Sequence, residues 1–247
     1  MVLPASRAVP LAVMAFAFAF MPFAPLTASQ GPSQVPCTDP RGCPDLETDP
    51  LTFAPFQETR TFSPNSCAVR EGVVEPGARK LLRFTFTTPN RGPGDLVVGV
   101  PETHPEWFEE GTCHGHLHFR EYADYRLWTP ADFQAWNAAR AAAPDKTPAQ
   151  VLAETGLAPV EGHKQGFCLI DIRRYGGLPA PRYLLCQTQG ISVGWADEYH
   201  WSLDGQWIDV TNVPLGTYVL EAEVNAERLF QETNYANNRA GLVVNVK

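Results

Sequence analysis

Hydrophobic and polar positions alternate over residues 80–88, K-L-L-R-F-T-F-T-T, with Leu82, Phe84 and Phe86 on one side and polar neighbours on the other. A period of two is that of a half-buried strand. Pro89-Asn90-Arg91-Gly92 then supplies a turn, and 95–100 resumes as a second strand. Further short strands are predicted at 167–172, 183–188, 206–210, 218–224 and 241–246, separated by Gly, Pro and Asn turns. The period changes only once. Thr129-Pro130-Ala131-Asp132 is a helix start with proline in the first turn, continued by 133–143, and Thr147-Pro148-Ala149-Gln150 is a second start. This pattern predicts a mainly β protein: an antiparallel β-sandwich or distorted barrel with long loops and two short inserted helices, the excursion covering 129–156.

The N-terminal segment departs from this pattern. One early positive charge at Arg7, an apolar run over 11–20 and small residues at Thr27, Ala28 and Ser29 read as a secretory signal peptide over 1–29. Pro10, Pro22 and Pro25 keep that run shorter than the ~20 residues a membrane span needs. The expected product is exported, secreted or periplasmic, with no membrane association after cleavage. Residues 30–65, rich in Pro, Ser, Thr and Asp, read as an extended lead-in, and 66–247 as the main domain. A formal charge of -8 argues against a nucleic-acid partner and favours the approach of cationic molecules. Six cysteines in an exported chain are expected to pair, in any of 15 ways. Locality selects Cys37 with Cys43 and leaves Cys67, Cys113, Cys168 and Cys186 for two longer bridges.

The candidate chemistry lies in G-T-C-H-G-H-L-H-F-R-E-Y-A-D-Y, residues 111–125. On a strand His114, His116 and His118 would project from one face, with Gly115 and Leu117 pointing away. Three imidazoles suit copper, zinc, nickel or iron and leave coordination positions open for solvent or substrate.

Three further stretches follow in order: E-G-H-K-Q-G-F-C-L (161–169), T-Q-G-I-S-V-G-W-A-D-E-Y (188–199) and G-Q-W-I-D-V-T-N-V-P-L-G-T-Y (205–218). With C-H-x-H-x-H in front, this order resembles the catalytic domain of the lysyl oxidases, copper amine oxidases with a lysine tyrosylquinone cofactor. The resemblance runs from about Asp45 to the C-terminus and makes 66–247 the catalytic domain. It implies copper ligation by His114, His116 and His118, a cofactor built from Lys164 and Tyr199, and Asp197 as the active-site base. The implied reaction is oxidative deamination of a primary amine, a small molecule or a protein lysine, by O2 to an aldehyde, ammonia and hydrogen peroxide. Lys164 is one of only four lysines, with Lys80, Lys146 and Lys247.

The resemblance also implies a calcium site: Asp45 and the Leu46 carbonyl of P-D-L, with Glu232, Asn234, Asn237 and Asn238 of E-T-N-Y-A-N-N. Asn234 stands where animal members often have aspartate. The remaining matches imply Cys168 with Cys186 and Cys67 with Cys113. Trp195 and Gly205 occupy positions that are cysteines in animal relatives, and the excursion is longer than theirs. Two alternatives remain at this level. One is an exported, non-enzymatic copper- or zinc-binding β-module; the other is a zinc hydrolase.

Overall fold

The single strand expected over 80–88 is two strands in different sheets. A computed structural model describes residues 34–111, 113, 115, 117–162, 167–176 and 179–247, so the segment 1–29, expected to be a signal peptide, lies outside the described residues. Strand β1 (Phe56–Phe62) pairs antiparallel with β2 (Gly77–Arg83), which β12 (Trp207–Asp209) flanks on its other edge. The chain breaks at Phe84 and Thr85 and re-enters as β3 (Phe86–Pro89) in another sheet. Nor is the segment half-buried. Leu82 belongs to the main core, and Leu81 to a second cluster with Phe62, Ala68, Val73, Val74 and Trp207. Even Arg83 is buried, donating to Glu58 and to the Leu203 carbonyl, with its guanidinium over the Trp207 ring. Alternation marked one apolar face; packing covers both.

The remaining strands are short. They are β4 (Leu96–Gly99), β5 (Phe108–Glu110), β6 (Leu117–Phe119), β7 (Ala123–Trp128), β8 (Val160–Gly162), β9 (Arg173–Arg174), β10 (Gln189–Ile191), β11 (Trp195–Tyr199), β13 (Gly216–Val224) and β14 (Arg239–Val246). They form the sheets β14-β13-β7-β8, β3-β11-β9, β10-β4 and β5-β6, each antiparallel. The fold is mainly β, as expected, and no closed barrel forms among the described residues. Two expected strands are absent. Within 168–172 the chain is irregular before β9, and 183–188 holds a turn at Cys186–Gln187, the ladder starting only at Gln189. In the first of these, hydrogen bonds from Asp171 N to Tyr183 O and Ile172 N to Ala196 O replace a regular ladder. The lead-in contributes β1, and its Val35 makes a parallel bridge to Phe230.

Helix α1 (Cys67–Arg70) is a single turn; α2 (Pro130–Ala142) and α3 (Pro148–Thr155) form the expected excursion. Thr129 caps α2, and Thr147 with Gln150 forms a capping box on α3. Gly156, at φ +69, ends α3 in the left-handed region. The excursion packs on the outer face of β7 and β13 through Trp128, Trp136, Val151 and Val219. Beneath it lies buried charge. Glu221 accepts from the indoles of Trp128 (2.8 Å) and Trp136 (3.0 Å), while Arg126 and Arg140 hold Glu223. This network latches the helices to the sheet, with Glu223 shared by Arg126 and Arg140 and Glu221 by Arg126 and Arg239, since a buried charge is costly without partners.

Disulfides join Cys37–Cys43, Cys67–Cys113 and Cys168–Cys186, the pairings expected. Among the described residues no helix is long and apolar enough to cross a membrane. Trp136→Ala removes both the indole stack on Trp128 and a donor to Glu221. We expect it to lower unfolding free energy by about 3–5 kcal/mol in urea titrations, the range for truncating a buried aromatic.

Candidate active site and cation site

Tyr199 and Asp197 alternate on β11, so both side chains leave the same face, and the β3–β11 register sets them opposite Phe86 and Thr88. The Tyr199 hydroxyl donates to Asp197 Oδ2 at 2.5 Å and lies 3.3 Å from the Cys168 carbonyl. Its ring sits in an aromatic box: Phe167 meets it edge-on at 4.9 Å, Tyr122 at 6.0 Å and Phe86 at 6.4 Å. Burial, and then the Asp197 charge, hold the phenol well above its ordinary pKa. Tyr122 completes the wall, its hydroxyl bonded to Thr88 Oγ1 and its ring on Phe167 and Phe230.

Of the three histidines, His118 is described. It is buried on β6, opposite Glu109. Gly111 lies flat against its imidazole: a Cβ there would come within 2.5 Å of His118 Cε1. Gly115 has φ +66 and the ladder begins at Leu117; the expected alignment of His114, His116 and His118 on one face falls in part on positions outside the described residues. His114, His116 and Lys164 lie outside the described residues. Among the described residues no three His, Cys, Asp or Glu side chains group as a metal site. The neighbours of Lys164 along the chain are informative. Gly162 pairs with Tyr125, and Phe167 bridges to Phe119 and touches the Tyr199 ring.

The two ends of the domain meet at Glu232. Its carboxylate accepts from Leu46 N, Asn225 Nδ2 and Asn238 Nδ2. Asn237 Nδ2 donates to Asp45 Oδ1 at 3.0 Å. Asn237 Oδ1 and Asn238 Oδ1 are buried with no hydrogen-bond partner. Orphaned buried oxygens of this kind are rare. Burial pushes the Glu232 carboxyl up to about 7, against hydrogen bonds from Asn225, Leu46 and Asn238 that lower it. Asp45, Leu46, Glu232, Asn237 and Asn238 are thus together. Asn234 is not: its side chain is exposed and accepts from Ala236 N in its own turn.

A cavity of about 610 Å³ opens between α3 and β7–β8, with Glu109, Glu121, Asp124, Glu161 and Glu227 around it and Tyr125 in its wall. Burial, with neighbouring carboxylates opposed by Arg126, pushes the Asp124 carboxyl up to about 6. Its five carboxylates outnumber the two arginines, Arg120 and Arg126, that also line it, in keeping with the overall negative charge.

A family model described as lysyl oxidase matches residues 147–246. Protein-lysine 6-oxidase of Sus scrofa is 30% identical over 210 residues, covering 80% of this chain and 74% of that protein. The Bos taurus protein of the same name is also 30% identical over 210 residues, but the match spans 44% of its length. Lysyl oxidase homolog 1 of Homo sapiens is 31% identical over 213 residues, 80% of this chain and 32% of that protein. The chain belongs to the lysyl oxidase family. It spans less than half of the bovine protein.

Sequence reasoning missed the residues that surround Tyr199 and Asp197 rather than those named in the motifs. Tyr122 and Phe167 read only as aromatics near a motif, and Thr88 as a strand residue. Their roles depend on strand register between segments more than 30 residues apart in sequence.

Tyr122, Tyr125 and Tyr199 all have raised pKa values, chiefly from burial. A raised folded-state value means that the unfolded chain loses the proton first as pH climbs, so stability is full below about pH 10 and falls above it. Tyr199→Phe should make that decline shallower by about 1.4 kcal/mol per pH unit. Urea unfolding at a series of alkaline pH values measures the slope, and an unchanged slope would contradict the assignment of a buried neutral phenol.

Proposed function

We propose that this protein is an exported copper-dependent amine oxidase that converts primary amines, including lysine side chains of proteins, to aldehydes. The overall reaction consumes O2 and water and releases ammonia and hydrogen peroxide. The observation that carries this reading is the buried Tyr199–Asp197 hydrogen bond inside a box of aromatic rings. A phenol on a carboxylate, shielded from water, is what a tyrosine-derived redox cofactor and its base require. Phe167, three residues along the chain from Lys164, supports the pairing because its ring touches Tyr199.

His114, His116 and His118 would hold the copper. An imidazole set of this kind suits Cu(II), and the glycine beneath His118 leaves room for an imidazole that larger residues would displace. Copper with a Lys164–Tyr199 quinone would supply the oxidising equivalents and the carbonyl with which an amine condenses. The chain's own groups do the rest. Asp197 stands at the Tyr199 hydroxyl to take its proton, and later to take one from the substrate α-carbon. Phe86, Phe167 and Tyr122 fix the ring and exclude water, which strengthens the carboxylate's interactions. The acidic cleft beside β8 attracts a cationic amine.

The Glu232 cluster is proposed as a calcium site. Carboxylates of Asp45 and Glu232 and the two unpartnered amide oxygens of Asn237 and Asn238, with the carbonyl of Leu46, whose N–H already bonds Glu232, would make an oxygen-rich set suited to a hard cation. Asn234 would join only if its turn reorganised.

Peptide mapping of the aerobically copper-loaded protein should find the Lys164 and Tyr199 peptides covalently joined. Lys164→Arg and Tyr199→Phe should each abolish the cross-link and hydrogen peroxide release with amines. Asp197→Asn should retain copper and lower turnover by about 10²–10⁴-fold, the usual worth of a general base. Unlinked peptides in a fully copper-loaded sample would instead identify a non-enzymatic metal-binding module.

A further inference from the structure

Asn225 lies in the connection between β13 and β14, outside every motif considered above, and is 2% exposed. Its φ of +50 places it in the left-handed region, which asparagine tolerates better than most residues. All of its polar groups are engaged. The main-chain N donates to the Tyr122 carbonyl at 2.8 Å and the main-chain O accepts from Arg228 N at 2.9 Å. Oδ1 accepts from Phe230 N at 3.0 Å. Nδ2 donates to the Phe230 carbonyl at 3.0 Å and to Glu232 Oε1 at 2.5 Å.

These bonds join two sites that also meet through the Tyr122–Phe230 ring contact. On one side is the Glu232 carboxylate of the cation cluster. On the other is Tyr122, whose ring forms a wall for Tyr199 and whose hydroxyl reaches Thr88, opposite Asp197 in the strand register. Phe230, clamped at both its N–H and its carbonyl by the same side chain, stacks on Phe119 at 4.6 Å, and Phe119 follows His118 on β6. Both outputs of Asn225 thus end beside residues proposed for catalysis.

We infer that Asn225 is a positioning residue that couples cation occupancy at Glu232 to the aromatic wall around Tyr199. The inference rests on the calcium reading proposed above. A cation drawing on the Glu232 carboxylate shifts the acceptor of Asn225 Nδ2; the amide passes that shift to Phe230, whose ring lies on Tyr122, and the Asn225 main chain passes it to the Tyr122 carbonyl. Packed interiors transmit such displacements because side chains have few alternative arrangements.

The test uses the purified, copper-free full chain, so it needs no amine turnover and is independent of the oxidase assignment. Calcium binding is measured by calorimetry. Hydrogen exchange is followed over a peptide containing Tyr122, with and without saturating calcium. In the wild type, calcium should bind and slow exchange there at least tenfold. Asn225→Gly accepts the positive φ and removes the side-chain link. Asn225→Asp keeps the shape and the acceptor for Phe230 N while losing the donor to Glu232. Both should still bind calcium and lose most of the protection at Tyr122. Calcium-linked protection equal to that of the wild type in either variant overturns the coupling. So does loss of calcium binding in both, since Asn225 then serves the carboxylate alone. A flat calorimetric trace with the wild type overturns the cation reading and this inference together.

Discussion

The hydrogen bond between Tyr199 and Asp197 is the constraint around which the rest is arranged. Both groups lie on one short strand, two residues apart, and neither could be buried alone without cost. Burial opposes ionisation of the phenol, so the pair rests as a neutral donor on an acceptor. The surrounding rings make that state durable. They come from β3, from the segment after β8 and from the turn after β6, and strand pairing fixes their relative positions.

This dependence explains why a sheet framework cut into many short ladders serves here. β11 is paired with β3 and β9, and the break after β2 delivers β3 into that sheet. A continuous strand through 80–88 would keep Phe86 and Thr88 beside β12 and away from Tyr199. The disulfide between Cys168 and Cys186 holds the main-chain oxygen that lies under the Tyr199 hydroxyl. The helical excursion is latched to the far face of β7 and β13 by buried ion pairs, and its α3 forms one side of the acidic cavity. Packing and a boundary for the cleft are the two roles this placement gives it.

Much of the framework was legible in the sequence. The helices at 130–142 and 148–155 carry their own start signals, Thr-Pro at each N-terminus, and needed no tertiary information. Strands β13 and β14 have strong β-branched and apolar runs. The expected strands at 167–172 and 183–188 failed because apolar residues there serve irregular loops tied by Asp171, whose carboxylate binds the main chain at Arg182, Tyr183 and Ser192. No local pattern announces such a hub. Tyr199 and Asp197 were legible as a motif, and their contact follows from alternation on a strand. The partners Tyr122 and Asn225 were not, because a ring wall and a buried amide relay exist only once distant segments are brought into register. Asn234 shows the converse, a matched position whose own side chain prefers a local turn.

The close approach of Gly111 to His118 has an outcome for how this chain tolerates change. A residue with no reactive group of its own occupies the space that any larger side chain would take from the ring. Replacing it would push on the imidazole from 2.5 Å, so at the copper site proposed above the defect would surface as poor metal retention. If that proposal holds, a survey of substitutions scored by bound copper would mistake the glycine for a ligand.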